Sequence, residues 1–124
     1  MSRILVIDDA ATVRMYHRKI LGDAGWETDE AINGLEALEK VGMLNDDESF
    51  DLYVVDINMP KMDGLLLIKE TRKILRFTPI LALTTESQAA KRDEAKKLGA
   101  SGWLVKPVTG SDLVKVVKQV LPGA

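Results

Sequence analysis

Five short apolar runs recur along the chain, and a stretch with helical spacing follows each one. Ile4-Leu5-Val6-Ile7 comes first, apolar at every position and stopped by Asp8-Asp9. A strand apolar on both faces belongs in a parallel sheet covered by helices on each side. The spacing then predicts a helix over 11–24, with Val13, Tyr16, Ile20 and Leu21 recurring on one face and Gly25 as its stop. Residues 26–32 read as a weakly patterned second strand, punctuated by Asn33-Gly34, and 35–41 as a helix turning Ala37, Leu38 and Val41 inward. The third strand lies within 51–56, and its helix over 65–75 has Leu65, Ile68 and Leu75 among its buried candidates. Residues 79–83 form the fourth strand, and 86–98 a polar helix closed by Gly99. The fifth strand is 102–105, and a last helix over 111–121 carries the stripe Leu113, Val116, Val117 and Val120. Strict alternation of strand and helix implies right-handed crossovers and an α/β fold, a doubly wound parallel sheet with helices on both faces.

Composition narrows the chemistry. The chain has 124 residues, enough for one compact domain over 1–124 and too few for two ordinary ones. A net charge of -2, from 17 basic and 19 acidic side chains, does not provide the positive field that nucleic-acid binding needs. The absence of cysteine removes disulfides, thiolate metal sites and cysteine nucleophiles together. The single histidine, His17, rules out a multi-histidine zinc site within one chain and reads as a solvated residue of the first helix. No apolar run approaches the roughly 18 residues of a membrane span, and the start is too soon acidic for a signal peptide. The expected location is cytoplasmic. The acidic stretch 44–49 reads as a solvated connection.

In open sheets of this class function gathers at the carboxyl ends of the strands. Those ends carry Asp8 and Asp9, Asp56, Thr84 and Thr85, and Lys106. Three carboxylates brought together repel one another, and a divalent cation relieves that. An all-oxygen ligand set suits Mg²⁺ or Mn²⁺ rather than zinc. A cation and a lysine together favour an incoming phosphoryl group, a hydroxyl can hold its equatorial oxygens, and one carboxylate is left as nucleophile. Asp56, projected by the central strand, is the best candidate. Taken singly, each residue has a plain alternative: Asp8 or Asp9 as a helix cap, Thr84 as a cap or turn residue, Lys106 as a surface lysine. Together, at the ends of four strands, they are poorly explained by chance. Neither G-x-G-x-x-G, nor a P-loop, nor G-x-S-x-G occurs, which argues against dinucleotide, nucleoside-triphosphate and hydrolase-elbow chemistry.

These residues resemble the response-regulator receiver domains, and within them the CheY-like chemotaxis receivers. The marks are Ile7-Asp8-Asp9, Asp56-Ile57-Asn58-Met59-Pro60-Lys61-Met62-Asp63-Gly64, Thr84-Thr85-Glu86 and Lys106-Pro107. The resemblance covers essentially the whole chain. It implies a flavodoxin-like (βα)5 fold with strand order 2-1-3-4-5, and a phosphorylation-dependent switch rather than an enzyme. Asp56 would be the phosphoacceptor, assisted by Lys106 and Thr84. Asp9, Asp56 and the Asn58 carbonyl would hold Mg²⁺ directly, and Asp8 through water. Backbone N–H groups near Met59 and Thr85 would complete the cradle, Asn58 and Glu86 would tune phosphoryl loss, and the Lys106-Pro107 bond would be cis. Implied partners are a sensor histidine kinase (CheA-like) and a downstream protein such as a flagellar motor switch component. The output face would be the fourth helix, fifth strand and fifth helix of a monomer. Trp103 stands at the family's aromatic switch position, usually tyrosine or phenylalanine; its plain alternative is a packed strand residue. Thr85 stands where the family often has alanine, and the loop over 45–49 looks a few residues longer than usual.

Other functions remain to be separated from this one: a phosphorelay intermediate or phosphate sink, a Mg²⁺-dependent aspartyl-phosphate phosphohydrolase, and a metal-free interaction module. Haloacid-dehalogenase-like phosphohydrolases need a second acid two residues after the nucleophile, and Asn58 stands there. The intact set of acids and lysine argues against the metal-free module. The chain stops soon after its last helix, so the expected output is another protein or a phosphotransfer.

Overall fold

The computed structural model describes residues 2–43, 50–57, 64–75, 77–84 and 89–121. Its elements run β1 (Arg3–Ile7), α1 (Ala11–Asp23), β2 (Glu27–Ala31), α2 (Gly34–Met43), β3 (Leu52–Asp56), α3 (Gly64–Ile74), β4 (Ile80–Thr84), α4 (Ala89–Leu98), β5 (Gly102–Val105) and α5 (Gly110–Val120). The five strands form one parallel sheet in the order β2-β1-β3-β4-β5. This is the doubly wound parallel sheet expected from the alternation, in the flavodoxin-like strand order that the family resemblance implied.

The period of two along each strand divides the core in half. Leu5, Ile7, Tyr53, Val55 and Ala82 face one way and pack with Ala37, Leu65, Ile68 and Ala95 from α2, α3 and α4. Ile4, Val6, Leu52, Val54, Leu81 and Leu83 face the other way, onto Leu21 of α1 and Leu113 and Val117 of α5. Both faces of β1, β3 and β4 are therefore covered, which is why their sequences are apolar without alternation. β2 is an edge strand, and its polar sequence is matched by cations from both flanking helices: Arg14 and Arg18 on Glu30, and Lys40 on Asp29. Among the described residues no helix is long and apolar enough to cross a membrane.

Several local expectations need correction. His17 is buried, not solvated. It lies three residues after Arg14 and four before Leu21, at the centre of the stripe that α1 turns toward the sheet. Tyr16, expected inside, is exposed because it falls off that stripe, whereas Val13 and Ile20 at its margins are half-buried. α5 begins at Gly110, one residue early, because the Thr109 hydroxyl accepts from the Asp112 N–H at 3.2 Å and caps it. α4 is described from Ala89 onward, and the expected start at residue 86 lies outside the described residues. So do the connection over 44–49, the segment Asn58–Asp63, and Thr85 and Glu86.

Candidate functional site

β1, β3 and β4 end within one residue of their neighbours in the sheet. Ile7 pairs with Val55, Val55 with Ala82, and Asp56 with Leu83. Asp8 is thus the first residue beyond β1, Asp56 the last of β3 and Thr84 the last of β4, at one edge of the sheet. All three are buried, while Asp9 is exposed. One carboxylate oxygen from each of Asp8, Asp9 and Asp56 lies within 4.8 Å of the others.

Lys106, just past β5, reaches the same edge. Its Nζ lies 3.0 Å from Asp8 Oδ2 and 3.2 Å from Asp56 Oδ1. Its backbone N–H donates to the Thr84 carbonyl at 2.6 Å, and the peptide bond to Pro107 is cis. Burial disfavours the lysine's charge, but the Asp56 and Asp8 carboxylates outweigh it and hold the pKa above the ordinary lysine value. Lys106 is thus held in its charged form by the two acids and is half-buried rather than a solvated surface residue. Among the described residues, one ammonium at this edge faces three carboxylates, an excess of negative charge. An all-oxygen donor set with excess negative charge, open to solvent on the Asp9 side, fits a hard divalent cation.

The helix-cap alternative for the acid pair does not survive. The N-cap of α1 is Ala10, with no side-chain cap bond. Asp8 instead turns back on the strand end: its N–H donates to the Ala31 carbonyl at 3.2 Å, and its Oδ1 accepts from the Ala10 N–H at 3.0 Å. Its carbonyl accepts from Arg14 Nη1 at 2.8 Å.

Gly64 opens α3 against the end of β3. A Cβ there would lie 2.6 Å from both the Asp56 carbonyl oxygen and the Ile57 Cα. Only glycine lets the helix start this close to the strand that presents Asp56. The sequence contained the signal, a glycine at the first helical position after the acid-bearing strand, but not the contact. Trp103 is not part of the acid cluster. It pairs with Ala82 across β4 and β5 and packs half-buried on the α2–α3–α4 side of the sheet. It lines a cavity of about 420 Å³ between α4 and β5 with Arg92, Asp93 and Lys96. Asn58, Met59, Thr85 and Glu86 lie outside the described residues.

Comparison with known proteins agrees with this geometry. The family model of the response regulator receiver domain matches residues 4–118. Chemotaxis protein CheY of Thermotoga maritima is 40% identical over 119 residues, 95% of this chain and 96% of that protein. Sensor protein EvgS of Escherichia coli is 38% identical over 106 residues, 86% of this chain but only 8% of that protein. The chain thus spans nearly all of some relatives and a small part of others. Among solved structures, chemotaxis protein CheY4 of Vibrio cholerae matches with a TM-score of 0.89 at 41% identity, covering 98% of this chain and 99% of that one. Receiver domains are signalling phosphoacceptors rather than enzymes, and the family implies a histidine kinase as partner. Because that family model spans residues 4–118, nearly the whole chain, the protein belongs to the response regulator receiver domain family.

Proposed function

We propose that Asp56 accepts a phosphoryl group from a phosphohistidine of a sensor histidine kinase, with Mg²⁺ or Mn²⁺ bound beside it. The observation that carries this reading is the placement of the Lys106 ammonium between Asp8 and Asp56 at the cluster of three acids. A carboxylate oxygen of Asp56 attacks phosphorus, the P–N bond to the histidine breaks, and an acyl phosphate forms on Asp56. Lys106 pairs with a phosphoryl oxygen, and the Thr84 hydroxyl bonds to another. Asp9, Asp56 and the Asn58 carbonyl would hold the cation directly, and Asp8 through water. When bound, the cation offsets charge on the carboxylates and on the phosphoryl oxygens. Met59 and Thr85 supply backbone N–H groups to the cradle, and Asn58 and Glu86 tune phosphoryl loss.

The signal then passes to the face made by α4, β5 and α5, through Thr84 and Trp103, and a downstream protein reads it. The likeness to single-domain chemotaxis proteins favours a chemotaxis kinase and a flagellar motor switch component as the two partners. The test is incubation with acetyl phosphate and Mg²⁺, followed by intact-mass measurement and peptide mapping. A one-to-one adduct on Asp56, absent in Asp56→Asn and without Mg²⁺, is the expected result. Multiple turnovers of a small phosphomonoester would indicate a phosphohydrolase, and no adduct would indicate a module without phosphorylation.

A further inference from the structure

The peptide bond between Asp8 and Asp9 joins two of the three clustered acids, and a side chain outside the cluster holds it. Arg14 is almost fully buried beneath the site. Its Nη1 donates to the Asp8 carbonyl at 2.8 Å, and its Nε donates to Glu30 Oε2 at 2.9 Å. Glu30 is also bonded by Arg18 Nη1. Arg18 in turn donates from Nε to the Thr28 hydroxyl and from Nη2 to the Thr28 carbonyl, both at 3.1 Å. β2 thus anchors Glu30, Glu30 orients the Arg14 guanidinium, and the guanidinium fixes the plane of the Asp8–Asp9 peptide.

The two acids differ in how they are held. Asp8 has its own anchors in Ala31, Ala10 and Lys106. The Asp9 carboxylate has no hydrogen-bond or ion-pair partner among the described residues, so the backbone that carries it decides where it points. A planar guanidinium can donate in two fixed directions at once, onto a carbonyl and a carboxylate, and a lysine ammonium on a flexible stem cannot reproduce that fork.

We propose that Arg14 is a positioning residue for divalent-cation binding: by holding the Asp8–Asp9 peptide it aims the Asp9 carboxylate at the cation, with Glu30 as its anchor. This inference rests on reading the acid cluster as a cation site. Residues that orient metal ligands without touching the metal commonly govern its affinity.

The test uses Mn²⁺ alone, followed by the electron paramagnetic resonance signal of the free ion, with Mg²⁺ as competitor and urea unfolding in parallel. The chains compared are wild type, Arg14→Lys, Glu30→Gln, Asp9→Asn and the Arg14→Lys/Asp9→Asn double variant. Arg14→Lys is expected to weaken Mn²⁺ binding about tenfold, and Glu30→Gln to weaken it in the same direction. In the Asp9→Asn background, Arg14→Lys is expected to cost nothing further, because Asp9 is the route of its effect. A lowered urea midpoint with unchanged Mn²⁺ binding overturns the proposal, as does an equal loss with and without the Asp9 carboxylate. If Arg14→Lys does not fold, Glu30→Gln decides by the same criterion. Failure of the wild-type chain to deplete free Mn²⁺ overturns the cation reading and this inference with it. Wild-type binding that survives Arg14→Lys unchanged overturns the positioning role alone.

Discussion

The ammonium of Lys106 lies 3.2 Å from the carboxylate of Asp56. The same nitrogen also serves Asp8, so one side chain supplies the counter-charge for two buried acids. Removing it takes away the ammonium that opposes their mutual repulsion. Lys106→Met is expected to lower the unfolding free energy in EDTA by about 1–3 kcal/mol. The lower part of that range is expected, because the lysine side chain is 23% exposed and solvent screens the pair. Mg²⁺ should recover most of the loss. Urea unfolding with EDTA and then with Mg²⁺ checks both parts; an unchanged midpoint in EDTA contradicts the charge argument.

His17 sets a separate dependence on pH. Burial lowers its pKa below the ordinary value of 6.5; Asp8 opposes that shift and Lys106 adds to it. The unfolded chain therefore takes up this proton more readily than the folded one. Above about pH 6.5 His17 is neutral in both states and contributes nothing to the slope. As pH falls from there toward its folded pKa, stability drops, and the loss levels off below that value. His17→Leu should flatten this segment of the curve of unfolding free energy against pH. The more acidic segment should remain, where Glu30 loses the Arg18 and Arg14 interactions that hold its pKa below the ordinary carboxylate value.

Gly64→Ala tests the junction of β3 and α3. The added methyl would overlap the Asp56 carbonyl, so helix or strand must shift. The expected cost is about 1–3 kcal/mol. Because the strand end that moves carries Asp56, adduct formation from acetyl phosphate should slow as well. A variant that folds at wild-type stability and phosphorylates at the wild-type rate would show that the junction has room to relax.

Trp103 separates a switch from a packed strand residue. Trp26 is buried on the opposite core face, with Leu21 and Leu113, and would add a background signal. In a Trp26→Phe chain, all tryptophan emission comes from Trp103. Addition of beryllofluoride and Mg²⁺ should change that emission, because Trp103 pairs with Ala82, two residues before Thr84 on the same strand. A spectrum that does not move leaves Trp103 as packing alone.

Much of this molecule was legible without coordinates, for a physical reason. Strands buried on both faces must be apolar throughout, so the points where Ile4–Ile7 and Leu52–Val55 give way to aspartate are visible in the chain. In a parallel α/β fold those points share one edge. α1 was harder. Its buried stripe contains Arg14 and His17, and a pattern that counts only apolar residues moves the inner face onto Tyr16. A polar residue can occupy the stripe when a partner exists, and the partner of Arg14 is Glu30 on β2, on a different element.

The alternation of strands and helices, the α/β class and the set of acids at the strand ends can be read from the chain alone. These follow from local periodicity and from where apolar runs stop. Which of these groups meet is set by the folded arrangement. Lys106 and Asp8 stand 98 residues apart in the chain and 3.0 Å apart in space. Arg14 reaches from α1 to the peptide that carries Asp9. Such contacts depend on strand order, register and the rotation of each helix about its axis, which many separated residues fix together and no short segment encodes.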